Sequence, residues 1–354
     1  MTPWRLLPLV LLAACASVGP DYKQPAVELP AQYPEPSAAE GAAVTPDWWR
    51  LYADATLDEL VTSGQKTNAD MRLAAARVQE AEGVLREARA AFFPDVTAGY
   101  SFARSRVSAT GVPAPPPGTV MRPSHQLLAS TNFEVDFWGR FARATEAAQA
   151  NLLGNRLGQD VVGLTLAGGI AQAYFALRSL DAQITVLENS IRVRRDSFDI
   201  AKARLDAGLA PELDVYQAQG ALSDALVQKR DAERSRALIE HQLAQLSGRL
   251  DLKLAPGDVF ALPLVPVPPA GLPSTLLDRR PDIRQAEETL VAANAQIGIA
   301  RAALFPTLSL TAAAGAQSAE LDTLLTTGAR IRPPASPPVR IPAPLLRQIP
   351  RPIA

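Results

Sequence analysis

The chain has 354 residues, a net charge of −1, one cysteine and two histidines. That near-neutral balance offers no basic face for nucleic acid, and a single cysteine builds no disulfide framework within one chain. Cys15 with His125 and His241 makes a poor metal set, so no metal or other cofactor is expected, and the length allows two domains.

Residues 1–14 read as an export signal, with Arg5 as the positive region and Leu6 to Leu12 as an apolar stretch too short to span a bilayer. Leu12-Ala13-Ala14-Cys15 matches the lipobox of bacterial lipoproteins, so Cys15 is the expected lipidated first residue. Ala16 follows it, where lipoproteins kept in the inner membrane commonly carry Asp, which points to the outer membrane. Residues 15–46 form a Pro- and Ala-rich extended leader. Order is expected from Asp47-Trp48-Trp49, with a short helix carrying Leu57, Leu60 and Val61.

A helix over 68–93 completes the segment 47–94 and stops at Pro94. It has a second copy 212 residues on, over 281–305, running from Asp70 on Asp282 and Arg72 on Arg284 to Phe93-Pro94 on Phe305-Pro306, with ten identities in 25 positions. This is an internal duplication. After each Phe-Pro the period changes from helical to two. Val96, Ala98, Tyr100 and Phe102 alternate with small polar residues, as do Leu127, Ala129, Thr131, Phe133, Val135 and Phe137, and again Leu308, Leu310, Ala312 and Ala314. Each run has about the ten residues of a tilted membrane strand. Residues 95–140 therefore read as a hairpin whose Pro/Gly-rich loop is Gly111 to Gly118, and 307–329 as a third strand with the start of a loop. Alternation alone also suits a half-buried sheet in a soluble protein. The mature chain shows no apolar run near the roughly 18 residues of a membrane helix, so a crossing requires a closed barrel.

Residues 141–246 read as two long helices and one tight turn. Leu166, Ile170, Ala173, Leu177, Leu180, Ile184, Leu187 and Ile191 set a heptad seam that skips Arg194 and resumes at Phe198, Ala201 and Leu205. Gly208 suits the left-handed position after a helix end and Pro211 the first turn of the next helix. A weaker seam follows through Leu222, Ala225, Ile239 and Leu243. At about 1.5 Å per residue the arms are roughly 100 Å and 54 Å long. Residues 247–280 are a connector punctuated by Pro256, Pro263, Pro266, Pro268, Pro269 and Pro273, and 330–354 hold eight Pro and no acid.

The stretches Cys15 to Tyr22, Asp47-Trp48-Trp49, Glu134-Val135-Asp136-Phe137-Trp138-Gly139-Arg140 and Leu277-Asp278-Arg279-Arg280-Pro281-Asp282-Ile283 resemble the outer-membrane efflux factors. These are TolC-type trimeric channels, here of the lipoprotein branch that serves resistance-nodulation-division pumps. The resemblance covers residues 12 to 330. It implies a mainly α chain with a small membrane β part, of which three copies close one 12-stranded barrel above a periplasmic helical tunnel. It places 247–280 in an equatorial belt and gives the turn Gly208, Leu209, Ala210, Pro211, Asp214 and Val215 to a periplasmic adaptor. The implied partners are the chain itself as a homotrimer, that adaptor, an inner-membrane pump and outer-membrane lipid. Passage rather than catalysis is expected. Glu134 and Asp136 alternate onto the polar face of strand two and are read as lumenal, cation-tolerant lining; as an acid/base pair they lack a nucleophile or metal ligand. Protein secretion, or a coiled-coil scaffold lipoprotein without a pore, are the alternatives, and the scaffold leaves the duplication unexplained. Because the duplication calls for a counterpart to all of 96–246, the tail from Arg330 is read as the mark of a truncated or shifted frame. The expectation is that the 354-residue product closes no conducting trimer.

Overall fold

In this computed structural model the described residues are 17–26, 47–106, 121–261 and 279–331. Cys15, most of the leader, the later part of the connector and the tail from residue 332 lie outside them. A 3-10 turn at Trp48–Tyr52 leads to helices α1 (Ala55–Thr67) and α2 (Ala69–Ala90) and to strands β1 (Asp95–Arg106) and β2 (Met121–Val135). Helices α3 (Arg140–Asp206), α4 (Glu212–Ser247) and α5 (Pro281–Ala302) follow, and then β3 (Leu308–Ser318) and the two-residue β4 (Arg330–Ile331). The chain is mainly α with a small sheet, as its sequence implies. It divides into two compact units: of the described residues, one holds 17–25, 80–153 and 287–331, the other 26, 47–79, 154–261 and 279–286.

The duplication is visible in the backbone. Both ends of α5 fall 212 residues after the ends of α2, since 69 becomes 281 and 90 becomes 302. The copies also close alike. Phe92 and Phe93 N–H donate to the carbonyls of Arg89 and Ala90, as Leu304 and Phe305 donate to those of Arg301 and Ala302. Both helices thus stop three residues before the expected Phe, because a residue ahead of proline is pushed out of helical conformation. The strands pair antiparallel in the order β1-β2-β3-β4.

The second unit is built on the heptad seam. Leu166, Ile170, Ala173 and Leu177 are buried, with Leu57, Leu60 and Val61 of α1 and Leu243 of α4 in the same core. From Leu180 to Leu205 the seam is only half-buried. Arg194, where the seam skips, donates to the Ala221 carbonyl of α4 at 3.0 Å. One sequence expectation is corrected here. Part of α3 is long and apolar enough to cross a membrane by length and composition, and from Val161 to Leu177 it carries no charge. That stretch supplies Leu166, Ala167, Ile170, Ala171, Ala173, Tyr174 and Leu177 to the core, so packing between helices accounts for its apolarity.

Candidate channel wall and docking turn

Strand register sorts the sheet into two chemically different faces. Val96, Ala98, Tyr100 and Phe102 of β1 stand opposite Thr131, Ala129, Leu127 and His125 of β2. Across the next ladder Phe133, Ala129 and Leu127 meet Leu310, Ala314 and Ala316. The other face carries Thr97, Gly99, Ser101, Ser124, Gln126, Ser130, Asn132, Glu134, Ser309, Thr311 and Gln317. Side-chain contacts follow the same division, with Phe102 against the His125 ring on one face and Thr97 Oγ1 2.9 Å from Ser130 Oγ on the other. Val96, Tyr100, Phe102, Leu127, Leu308 and Leu310 are all exposed. Burying each such side chain in an apolar medium is worth about 1.5–3 kcal/mol, and no part of the described chain covers them. A face of this kind suits lipid, and its reverse suits water.

The strand-to-helix junction fixes the sheet to α3. Glu134, opposite Ser309 on the polar face, meets Arg140 at 2.8 Å. Asp136 does not line the sheet: it lies one residue past β2 and its Oδ2 accepts from Ala142 N–H at 2.8 Å, capping α3. Of the two acids expected on strand two, only Glu134 is in the strand, and it is held in an ion pair. Around the junction Trp138 stacks on Phe305 with centroids 4.5 Å apart and donates from Nε1 to the Pro306 carbonyl, a ring cluster suited to a membrane–water boundary.

The leader is pinned to this junction by Val18, Gly19 and Asp21 of the Cys15 to Tyr22 stretch, two of whose partners, Arg143 and Gly298, no motif marks. Val18 N–H donates to the Trp138 carbonyl at 3.0 Å. Arg143, almost fully buried, pairs with Asp21 at 2.6 Å and Glu146 at 2.7 Å, and those bonds hold its guanidinium above the usual range despite burial. A Cβ on Gly19 would come 2.6 Å from Gly298 Cα, so two glycines let the leader cross α5 at backbone distance. In the duplicated copy the position of Gly298 is Arg86. That departure from the repeat was the signal available in the sequence.

At the far end of α3, Gly208 N–H donates to Leu205 and Leu209 N–H to Arg204, closing the helix around a Gly208 φ of +72°. Pro211 is the cap just before α4 rather than its first turn, and Asp214 and Val215 lie in that first turn. Leu209, Leu213 and Tyr216 are exposed, and among the described residues nothing beyond its chain neighbours lies within 4 Å of a Cβ placed on Gly208. The six residues expected at the docking turn are thus together on one reversal.

A third feature was not foreseen. Asp181 on α3, its side chain 2% exposed, accepts from Arg236 Nε at 2.6 Å, Arg178 at 3.2 Å and Gly257 N–H at 3.0 Å. Arg178 and Arg236 also donate to the carbonyls of Ala255 and Leu254, and Leu254 N–H donates to Glu240. The start of the connector is therefore clamped to α3 and α4. Burial alone would raise Glu240, but Leu254 N–H, Lys253 and Arg236 bring its carboxyl below the ordinary value. Its contribution to stability is full above the unfolded carboxylate pKa and is lost as pH falls through that lowered value.

A sheet with one lipid-suited and one water-suited face and, in the same chain, a helical hairpin with a roughly 100 Å arm are the parts of an outer-membrane channel protein. The chain belongs to the outer membrane efflux protein family, whose model matches residues 60–249 and 272–333. It is 34% identical over 326 residues to the probable efflux pump outer membrane protein TtgC of Pseudomonas putida, covering 90% of this chain and 67% of that one. It is 32% identical over 345 residues to the cation efflux system protein CusC of Escherichia coli, covering 92% and 70%. Among solved structures it resembles the open state of the Neisseria gonorrhoeae MtrE outer membrane channel, with a TM-score of 0.78 and 26% identity over 89% of this chain and 70% of that one. It is an outer-membrane efflux protein.

Proposed function

We propose that this protein is the passive exit duct of a tripartite efflux system. The role proposed is that of the family's whole-length assembly, in which three copies form one barrel and tunnel and an inner-membrane resistance-nodulation-division pump and a periplasmic adaptor deliver small molecules to it; this chain spans about two thirds of the length of those relatives. Relatives are named for the efflux of toluene, antibiotics and cations. The observation that carries the reading is the sheet with one face suited to lipid and the other to water; the exposed turn between α3 and α4 supports it separately. Glu134 on the polar face borders the conduit, and the turn Gly208 to Val215 is the surface an adaptor grips.

The turn is the place to test it. Since, among the described residues, nothing beyond its chain neighbours lies within 4 Å of a Gly208 Cβ, Gly208→Trp should meet a docking partner rather than its own helix pair, with about 1–3 kcal/mol of backbone strain. A photoreactive residue at position 209 is expected to cross-link to the helical hairpin of an adaptor, and Gly208→Trp to lower that yield at least about tenfold, RT ln 10 being about 1.4 kcal/mol. Undiminished cross-linking would remove the docking role from this turn.

Lipidation at Cys15 fits the same reading. The described part of the leader begins at the strand-to-helix junction, where Ser17 and Val18 pack on Gly139 and Trp138. Cys15→Ser is expected to abolish incorporation of labelled palmitate, with assembled barrels still held by their strands. Label persisting in the Ser variant would refute the assignment.

A further inference from the structure

We infer that the outer end of β1 carries a contact site for the phosphate groups of outer-leaflet lipid, built from Arg104 and Arg106. Register places both on the same face as Val96, Ala98, Tyr100 and Phe102, with Arg104 opposite Pro123 and Arg106 opposite Met121. Both are exposed, and no carboxylate among the described residues pairs with either. Along this face the order is apolar residues, then Tyr100, Phe102 and His125, with Tyr100 Oη 2.7 Å from His125 Nδ1, and then the two guanidiniums. That is the order of side chains crossing from hydrocarbon through an aromatic girdle into charged headgroups.

The dimensions agree. At about 3.3 Å per residue, the ten steps from Val96 to Arg106 cover roughly 33 Å along the strand, or about 25 Å in height at a tilt of about 40°. That is the height of a barrel's apolar band, so both side chains reach its outer boundary. Arginine on a lipid face is costly at the midplane and nearly neutral at the interface. An anionic phosphate there adds charge-assisted, bidentate hydrogen bonds. The carboxylates at this end, Glu320 and Asp322, follow β3, on the far side of β2 from β1. Arg122 points to the opposite face, paired with Ser105, and so serves as a control.

The inference rests on the apolar face meeting lipid. The test is retention of bis-phosphorylated lipid A by the purified full chain in mild detergent, read by native mass spectrometry. Wild type and Arg122→Ser are expected to retain it, Arg104→Ser/Arg106→Ser about tenfold less, and Arg104→Lys/Arg106→Lys most of it. Dephosphorylated lipid A is expected to bind wild type as weakly as the phosphorylated form binds the double Ser variant, and millimolar inorganic phosphate to displace little. Equal retention of both lipid forms by wild type overturns the phosphate contact while leaving the lipid face intact. Retention of neither form overturns the lipid face itself. Full displacement by inorganic phosphate overturns the lipid source. The comparison of two lipids on unaltered protein stands even where the double Ser variant fails to fold.

Discussion

Asp181→Ala is expected to destabilise its unit by about 3–5 kcal/mol, the range for removing one partner of a buried ion pair. The carboxylate is the common acceptor for Arg178, Arg236 and Gly257 N–H, and the side chains of both arginines are under one-fifth exposed. Alanine removes the acceptor of Gly257 N–H and the near carboxylate of both guanidiniums, leaving Arg178 the Ala255 carbonyl and Arg236 the Leu254 carbonyl and a longer, 3.6 Å pair with Glu240. Replacing Glu188, whose side chain is 54% exposed in its pair with Lys229, should change stability by less than about 1 kcal/mol. The urea midpoints of the two alanine variants make the comparison. A local readout accompanies it: Asp181 holds the start of the connector, so trypsin should cut at Lys253 faster in Asp181→Ala than in the parent. Midpoints that fall alike would mean that the clamp is ornamental.

Much of this architecture was legible in the sequence because it repeats with a period. The heptad seam gave α3 and α4 their partnership, and the Phe-Pro ends of the duplicated helices marked where period 3.6 yields to period two. What sequence could not deliver are contacts between residues far apart. Asp181 meets Arg236 across 55 positions and Gly257 across 76, and an Asp on a long polar helix looks like any solvated acid. Gly19 and Gly298 are distant in sequence and touch through backbone. Asp136 misled in a different way. Alternation carried it onto the strand, yet an acid just before a helix start is also a cap, and its bond to Ala142 N–H shows that local chemistry prevailed over periodicity. In the uncharged run Val161 to Leu177, Gly163, Gly168, Gly169 and four alanines dilute the apolarity that a membrane-helix pattern requires.

The most direct test of the channel wall is to place single thiols on adjacent residues of β2. Ser130, opposite Thr97 and Ala313, stands on the polar face, and Ala129, opposite Ala98 and Ala314, on the apolar one. A thiol reacts as its thiolate, which water favours and hydrocarbon suppresses. In reconstituted membranes Ser130→Cys should react with a charged, membrane-impermeant thiol reagent at least about tenfold faster than Ala129→Cys, a preference of about 1.4 kcal/mol or more. A fluorophore on Ala129→Cys should in turn be the one quenched by nitroxides on the lipid tails. Equal labelling of the two positions, or faster labelling at Ala129→Cys with quenching at Ser130→Cys, would contradict a sheet with one face to lipid and the other to a water-filled conduit.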